Sequence, residues 1–304
     1  MQPCILQIAI AVLMTAVLGV CAADDKMPND PYVIFLGTGA ADIDTPKVDG
    51  CDNCTYIREH GGRNWRRFSS LFVSPNVLID YSTTGRAGLK ECGIDPAGVD
   101  YLLITHSHGD HFNPAEIVKL AKERSKKADG CLKMFCNQTA AESMNQHLSG
   151  LDEAVDIEIT TLHHNESFQA GMWKGKTLPA NHDPNQECLL YVLTIGEKSL
   201  FYATDTGWFP SGTFGAIAQE KLDLAIVEGT FGEMDDPELM TGHMVFEFDR
   251  LVKRFLEQKG ALKPGARFAL THLSLHWCEP HDKLAPKLAE EGILLPYDGL
   301  KVDL

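Results

Sequence analysis

The segment Thr105-His106-Ser107-His108-Gly109-Asp110-His111 constrains this chain more than any other. It directly follows the apolar run Tyr101-Leu102-Leu103-Ile104, which reads as a buried strand. Three imidazoles and a carboxylate therefore sit at a strand's C-terminal end, where open α/β sheets place their chemistry. On an extended backbone, residues two apart share a face, so His106 and His108 can address one cation. Gly109 lets the chain turn and carry Asp110 and His111 towards a second. Neutral imidazole is the commonest protein metal ligand, and the spacing suits a binuclear centre better than a polar loop with incidental histidines.

A His-x-His-x-Asp-His run at a strand end resembles the metallo-β-lactamase superfamily. That resemblance implies an α/β (α+β) chain folded as a four-layer αββα sandwich with its metals at one edge. It also asks for distant ligands in a fixed order. Thr177-Leu178-Pro179-Ala180-Asn181-His182 supplies a histidine after a strand, Leu200-Phe201-Tyr202-Ala203-Thr204-Asp205 an aspartate ending a hairpin, and Phe268-Ala269-Leu270-Thr271-His272 a last histidine. By the resemblance, His106, His108 and His182 hold one metal, Asp110, His111 and His272 the other, and Asp205 bridges both. An all-N/O ligand set suits two divalent ions, Zn²⁺ or Mn²⁺, with Fe also compatible. Two cations about 3.5–4 Å apart lower the pKa of a shared water towards ~7 and clamp attacking and leaving oxygens. Asp80, ending Asn76-Val77-Leu78-Ile79-Asp80, matches the family's earlier acidic position, which orients ligands from behind; capping the next turn is its other reading.

Cys51-Asp52-Asn53-Cys54 has the spacing of a zinc turn. It resembles a cysteine motif of the phosphonate-pathway cyclic phosphodiesterase branch, in which a third cysteine precedes the pair and a histidine follows the last metal ligand. Here Asp49 stands at the preceding position and His276 follows His272, with Cys278 as a replacement thiolate. A structural Zn²⁺ on Cys51, Cys54, His276 and Cys278 is one expectation; a disulfide or free thiols is the other. The same branch places a non-ligand histidine after an acidic or Thr-Phe turn, and Glu228-Gly229-Thr230-Phe231 followed by His243 fits that pattern. His243 is then expected at a helix start, as proton donor or phosphate binder, with an exposed N-cap as the alternative. His60, His147, His163, His164 and His281 carry no motif and read as surface or packing residues.

Nine cysteines leave seven once Cys4 and Cys21 are set aside, an odd number for a disulfide framework. Cys92 and Cys188 read as core residues, and Cys131 and Cys136 as core residues or a local bridge. Ile5 to Ala23 is uncharged and mostly apolar before Asp24-Asp25-Lys26, so residues 1–23 are expected to be an export signal for a periplasmic or secreted protein. An uncleaved membrane anchor and a lipid-modified Cys21 are the alternatives, and no stable membrane partner is expected if the signal is removed. Residues 24–304 are expected to form one domain, with a homodimer left open. The net charge of −15 argues against binding long nucleic acid, which needs rows of Lys and Arg.

Further along the chain, strands are expected over Pro31 to Gly37, Phe68 to Val73, Val77 to Tyr81, Leu189 to Ile195, Ser199 to Ala203 and around Ala225-Ile226-Val227. Helices are expected over Asn113 to Lys127, Gln138 to Leu148, Met244 to Gln258 and His281 to Glu291, and specificity loops over Asp42 to Trp65 and Thr230 to Gly242. The turn Gly37-Thr38-Gly39-Ala40-Ala41 lacks phosphate-cradle spacing. By resemblance the chain is an enzyme, a metal-dependent hydrolase of a small phosphodiester, including a cyclic one, in which His243 protonates the leaving oxygen. Hydrolysis of a lactone, lactam or thioester is the alternative, followed by an oxidoreductase or quinone-cofactor-assembly role on the same fold.

Overall fold

The apolar runs become strands, and chain order sorts them into two sheets. In the computed structural model, which describes residues 30–43, 50–127, 130–234 and 242–304, the first sheet contains β1 (Tyr32–Gly37), β2 (Ser70–Val73), β3 (Val77–Ile79), β4 (Tyr101–Leu103), β5 (Leu132–Cys136) and β6 (Ile157–Thr161). The second contains β7 (Ser167–Ala170), β8 (Trp173–Pro179), β9 (Leu189–Ile195), β10 (Lys198–Ala203), β11 (Leu222–Glu228), β12 (Leu262–Thr271) and β13 (Ile293–Leu294). A last strand, β14 (Lys301–Asp303), returns to the first sheet beside β1, giving the orders β14-β1-β2-β3-β4-β5-β6 and β13-β12-β11-β10-β9-β8-β7. Strands β3 to β6 run parallel, as do β10 to β13. The proposed export signal and Asp49 lie outside the described residues.

Alternation along the strands gives each sheet two apolar faces, so both must be covered. The inner faces meet in one buried layer, with Val33, Phe35, Ile79 and Leu103 against Tyr191, Tyr202, Leu224 and Ile226. Leu78, Leu102 and Met134 point the other way, beneath α2 (Gly85–Glu91), α3 (Pro114–Arg124) and α4 (Gln138–Ser149). On the far side Phe201, Val227 and Leu270 are covered by α5 (Ser211–Ile217), α6 (Phe246–Gln258) and α7 (His281–Glu290). The result is the αββα sandwich expected from the sequence. Trp173 and Tyr191 tie the layers with hydrogen bonds as well as bulk: Trp173 Nε1 donates to the Ser74 carbonyl at 2.8 Å, and Tyr191 Oη to that of Ile104 at 2.7 Å.

Local chemistry sets the element ends. Asn113 caps α3, its side chain accepting from Glu116 N at 3.1 Å, which frees Asp110 to turn elsewhere. The expected helix from Met244 begins later, at Phe246, because Met244 N donates to the Glu228 carboxylate at 3.1 Å. His243 therefore stands in the approach to α6 rather than at its start. The stretch expected as a loop contains α1 (Asp52–His60), with Cys51 as its N-cap. A Cys131–Cys136 bridge is ruled out: both thiols are free, and extended chain separates positions five apart by roughly 16 Å, far beyond disulfide reach. Among the described residues no helix is long and apolar enough to cross a membrane.

Trp173 is wholly buried between the sheets. Trp173→Ala should cost about 3–5 kcal/mol in equilibrium denaturant unfolding, the range for emptying a large aromatic site. A loss below about 1 kcal/mol would mean that the inter-sheet layer is loosely packed.

Candidate active site

Parallel strands deliver their C-terminal ends to one edge of the sandwich. Asp80 follows β3, the His106–His111 segment follows β4, Asp205 follows β10, Glu228 ends β11 and His272 follows β12. Asp205 is the hub. Its Oδ2 lies 3.2 Å from His106 Nε2, 3.1 Å from His111 Nε2 and 3.5 Å from His182 Nε2, and its Oδ1 lies 2.8 Å from His272 Nε2. Asp110 Oδ2 approaches His111 Nε2 at 3.2 Å and His272 Nε2 at 3.3 Å. All seven residues singled out in the sequence come together in two groups, His106, His108, His182, Asp205 and Asp110, His111, Asp205, His272, with ligand atoms within 4.8 Å of one another in each.

The hydrogen bonds around the rim decide what these groups can hold. His111 Nδ1 faces the Asp80 carboxylate at 2.8 Å, His182 Nδ1 the Gly242 carbonyl at 2.8 Å, and His108 Nε2 the Asp183 carboxylate at 3.2 Å. Each partner accepts only, so each of these nitrogens donates and the other nitrogen of a neutral ring turns a lone pair inward. His182 Nε2 and His108 Nδ1 consequently face each other at 3.1 Å without a proton to share. His272 follows the same logic: Thr230 Oγ1 donates to Glu228 at 2.5 Å and is left to accept from His272 Nδ1 at 2.8 Å, so Nε2 faces His111 Nε2 at 3.2 Å. His106 Nε2 is buried 3.2 Å from Asp205 Oδ2 but out of line for a good hydrogen bond. Inward lone pairs, backed from behind, are the donor set of a divalent cation.

Electrostatics point the same way. Burial opposes charge on His111 and His272, yet the Asp205 and Asp110 carboxylates outweigh it, holding His111 well above its ordinary range and raising His272 to about 10. His106, buried and beside His111, falls to about 3. The spot attracts positive charge, whether as protons on these rings or as cations held by the rings in their neutral form. Three of its residues also carry left-handed backbone, Asp80 at φ 59, Asp205 at φ 48 and His272 at φ 55. Such conformations cost of the order of 1–3 kcal/mol each for non-glycine residues and concentrate at functional sites.

Above the cluster opens a cleft of about 210 Å³, lined on its far side by Ala40, Phe231, His243, Ser274 and Trp277. His243 belongs to neither ligand group described above. Its Nδ1 lies 2.9 Å from Glu228 Oε1, and its ring stacks 5.4 Å from that of His272. Glu228 is fully buried and also accepts from Thr206 N at 2.7 Å. Burial would depress His243, but the Glu228 carboxylate prevails and raises it above its ordinary pKa. With His272, the pair forms a third set of donors that could also contact a cation. Sequence reasoning used Glu228 only to locate His243 and gave it no role of its own, although a carboxylate closing an otherwise apolar strand was a usable signal. It missed Asp183 and Gln186, which brace the motif: Gln186 Oε1 accepts from Ser107 N at 2.9 Å while its Nε2 donates to Asp183 at 2.8 Å. Nothing in the sequence marks Gln186.

The cysteine pair lies beside this edge. Cys54 Sγ sits 3.2 Å from His276 Nδ1, Cys51 Sγ accepts from Cys54 N at 3.3 Å, and the three ligand atoms fall within 4.8 Å of one another. No Cys51–Cys54 disulfide forms. Cys278 does not join them: the chain turns its buried Sγ the other way, towards the Gly229 and Thr230 carbonyls at 3.4 and 3.5 Å. Burial opposes ionisation of Cys51, but hydrogen bonds from His276 and Cys54 lower its pKa, whereas burial and the neighbouring Cys51 push Cys54 up to about 12.

Among the described residues, the Asp80 carboxylate holds His111 Nδ1 and Thr105. Asp80→Asn keeps a residue that tolerates left-handed backbone but removes the anionic acceptor. Metal affinity should fall about 10–100-fold in competition against a chromogenic chelator, the usual effect of losing such a partner. Unaltered affinity would remove Asp80 from ligand positioning.

Known proteins fit this geometry. The β-lactamase superfamily domain matches residues 75–272. The UPF0173 metal-dependent hydrolase of Pelotomaculum thermopropionicum is 26% identical over 159 residues, 51% of this chain and 64% of that protein. The chain thus spans just under two thirds of the length of the curated relatives it matches. Among solved structures, Zn²⁺-bound PqqB from Methylobacterium extorquens superposes with a TM-score of 0.69 at 17% identity, over 90% of this chain and 100% of that one. A diphosphatase of the PhnP family gives 0.67 at 21%, over 90% and 97%. Likeness at these identities is one of fold, whereas the domain match covers most of the described chain and the whole ligand series from His106 to His272: this protein belongs to the β-lactamase superfamily.

Proposed function

We propose that this chain is a metal-dependent hydrolase that opens a small phosphodiester, a cyclic one included. The observation that carries the reading is the Glu228–His243 pair, set in the same cleft as the ligand cluster yet outside both groups that share Asp205. The curated relatives are named metal-dependent hydrolases, and one fold neighbour is a diphosphatase. Two divalent cations, held by His106, His108 and His182 and by Asp110, His111 and His272 with Asp205 common to both, would supply Lewis acidity and an activated water. Zinc, manganese and iron all suit the ligands.

The chain's own residues do the rest. Asp80, Asp183, Thr230 and the Gly242 carbonyl fix the ring orientations. Glu228 accepts a hydrogen bond from Nδ1–H of His243, so Nε2 can hold the proton that the leaving oxygen needs. The Glu228 carboxylate beside it favours the protonated ring, and a protonated ring suits an anionic diester better than a neutral lactone or lactam. The cleft of about 210 Å³ suits a small molecule, and the charge of −15 disfavours a long nucleic acid. Cys51, Cys54 and His276 would bind a structural Zn²⁺, with export through residues 1–23 as the matching cellular address.

His243→Ala should lower kcat about 10²–10⁴-fold with both metals retained, and far less on a nitrophenyl ester, whose leaving group needs no proton. Because the acid must be protonated, kcat should fall as pH rises through the His243 pKa, which lies above the ordinary histidine value, and the variant should lose that limb. Equal losses on good and poor leaving groups would make His243 a binding residue instead.

Cys51→Ser should reduce zinc content and lower the melting temperature while sparing the ligand cluster, because a structural Zn²⁺ contributes directly to folding. Unchanged zinc content, read by elemental analysis, would leave the pair as ordinary thiols.

A further inference from the structure

Trp277 is 54% exposed, more than any other large apolar residue described, and it lines the cleft. Exposure on this scale usually accompanies a loose backbone, but here the backbone is held on three sides. Trp277 N donates to Ser274 Oγ at 3.1 Å, and Ser274 Oγ in turn donates to Asp42 at 2.5 Å. The carbonyls of His276 and Cys278, on either side, both accept from Asn53 Nδ2 at 3.0 Å. Gly232, at φ +58, passes so close that a Cβ there would meet the Trp277 carbonyl oxygen at 3.0 Å. Trp208, part-exposed at the α5–α6 face, spends its ring on Phe214 and Phe248. Trp277 has no such ring partner among the described residues.

A fixed backbone presenting an unused indole face at the mouth of a polar site is the arrangement of a stacking platform. Phe231 extends the apolar wall, meeting His243 edge-on at 5.4 Å. The cleft is therefore divided, with imidazoles and carboxylates at its floor and aromatic surface at its rim. We infer that Trp277 is a specificity-determining residue, and that the substrate carries a planar aromatic group, such as a nucleobase, which stacks on its indole while the ester lies over the ligand cluster. The inference rests on the proposed hydrolysis only for the ester; the ring subsite stands on Trp277 itself.

Binding can be read apart from turnover. Metal-loaded protein is titrated, by tryptophan fluorescence and by calorimetry, with adenosine 5′-monophosphate, phenyl phosphate and ribose 5-phosphate, which share a phosphate monoester and differ in the ring. Stacking predicts that adenosine 5′-monophosphate binds roughly 5- to 150-fold tighter than ribose 5-phosphate and quenches emission. Trp277→Ala should abolish that difference, and Trp277→Phe should keep part of it. Phenyl phosphate matching the nucleotide would define the subsite as one for any flat ring; a weaker phenyl ester would define it as a nucleobase site. Turnover of phosphodiesters with no preference for ring-bearing ligands would overturn the inference and leave the hydrolase standing. A Trp277-dependent ring preference without phosphodiester turnover would do the reverse. In steady state, Trp277→Ala should raise KM for a ring-bearing diester more than it lowers kcat; a loss confined to kcat would also overturn it.

Discussion

The buried carboxylate of Asp205 is the constraint around which the rest is arranged. It is 2% exposed and has four imidazoles about it, drawn from both sheets. An isolated carboxylate in such a place would be heavily penalised, so the position can persist only where positive charge is assured. The first sheet brings His106 and His111 to it, and the second brings His182 and His272. Because a single carboxylate reaches both ligand groups, the two sheets must dock in one register for either group to be complete. The inter-sheet apolar layer, with Tyr191 and Trp173 hydrogen-bonded across it, fixes that register.

What surrounds Asp205 favours function over stability. Left-handed backbone at Asp80, Asp205 and His272 turns each side chain inward just as its strand ends. A glycine would relieve the conformation but has no side chain to contribute, so the strain is inseparable from the ligands. Behind the cluster the donors and acceptors are arranged in series: Glu228 receives Thr230, Thr230 receives His272, and His272 presents its remaining nitrogen to the centre. Changing one link alters the direction of the next.

Much of the cluster was legible in the sequence because its residues follow the ends of apolar strands, and the ends of parallel strands converge. Asp80, Asp205 and His272 all share that signature. The Cys51/Cys54/His276 grouping was legible as well, but the orientation of Cys278 was not, since it depends on a turn whose direction is set by Asn53 reaching from α1. His243 was found but misassigned to a helix start, because the pull of Glu228 on Met244 N is a tertiary contact that no local pattern encodes. Gln186 and Trp277 were silent for the opposite reason: nothing about an isolated glutamine or tryptophan announces which cleft its loop will border.

The spacing of the ligands along the chain bears on the order in which the molecule forms. His111 and His272 face each other across 161 positions of sequence, and His108 and His182 across 74. Contacts of such long range cost loop entropy before they return anything, so neither half of the centre can exist until the two sheets have met. Cations bound there select the finished sandwich and have little hold on the transition state that precedes it. Interactions absent from the transition state act on the rate of unfolding rather than on that of folding. Metals held there would set how long the native protein lasts and not how quickly it arises.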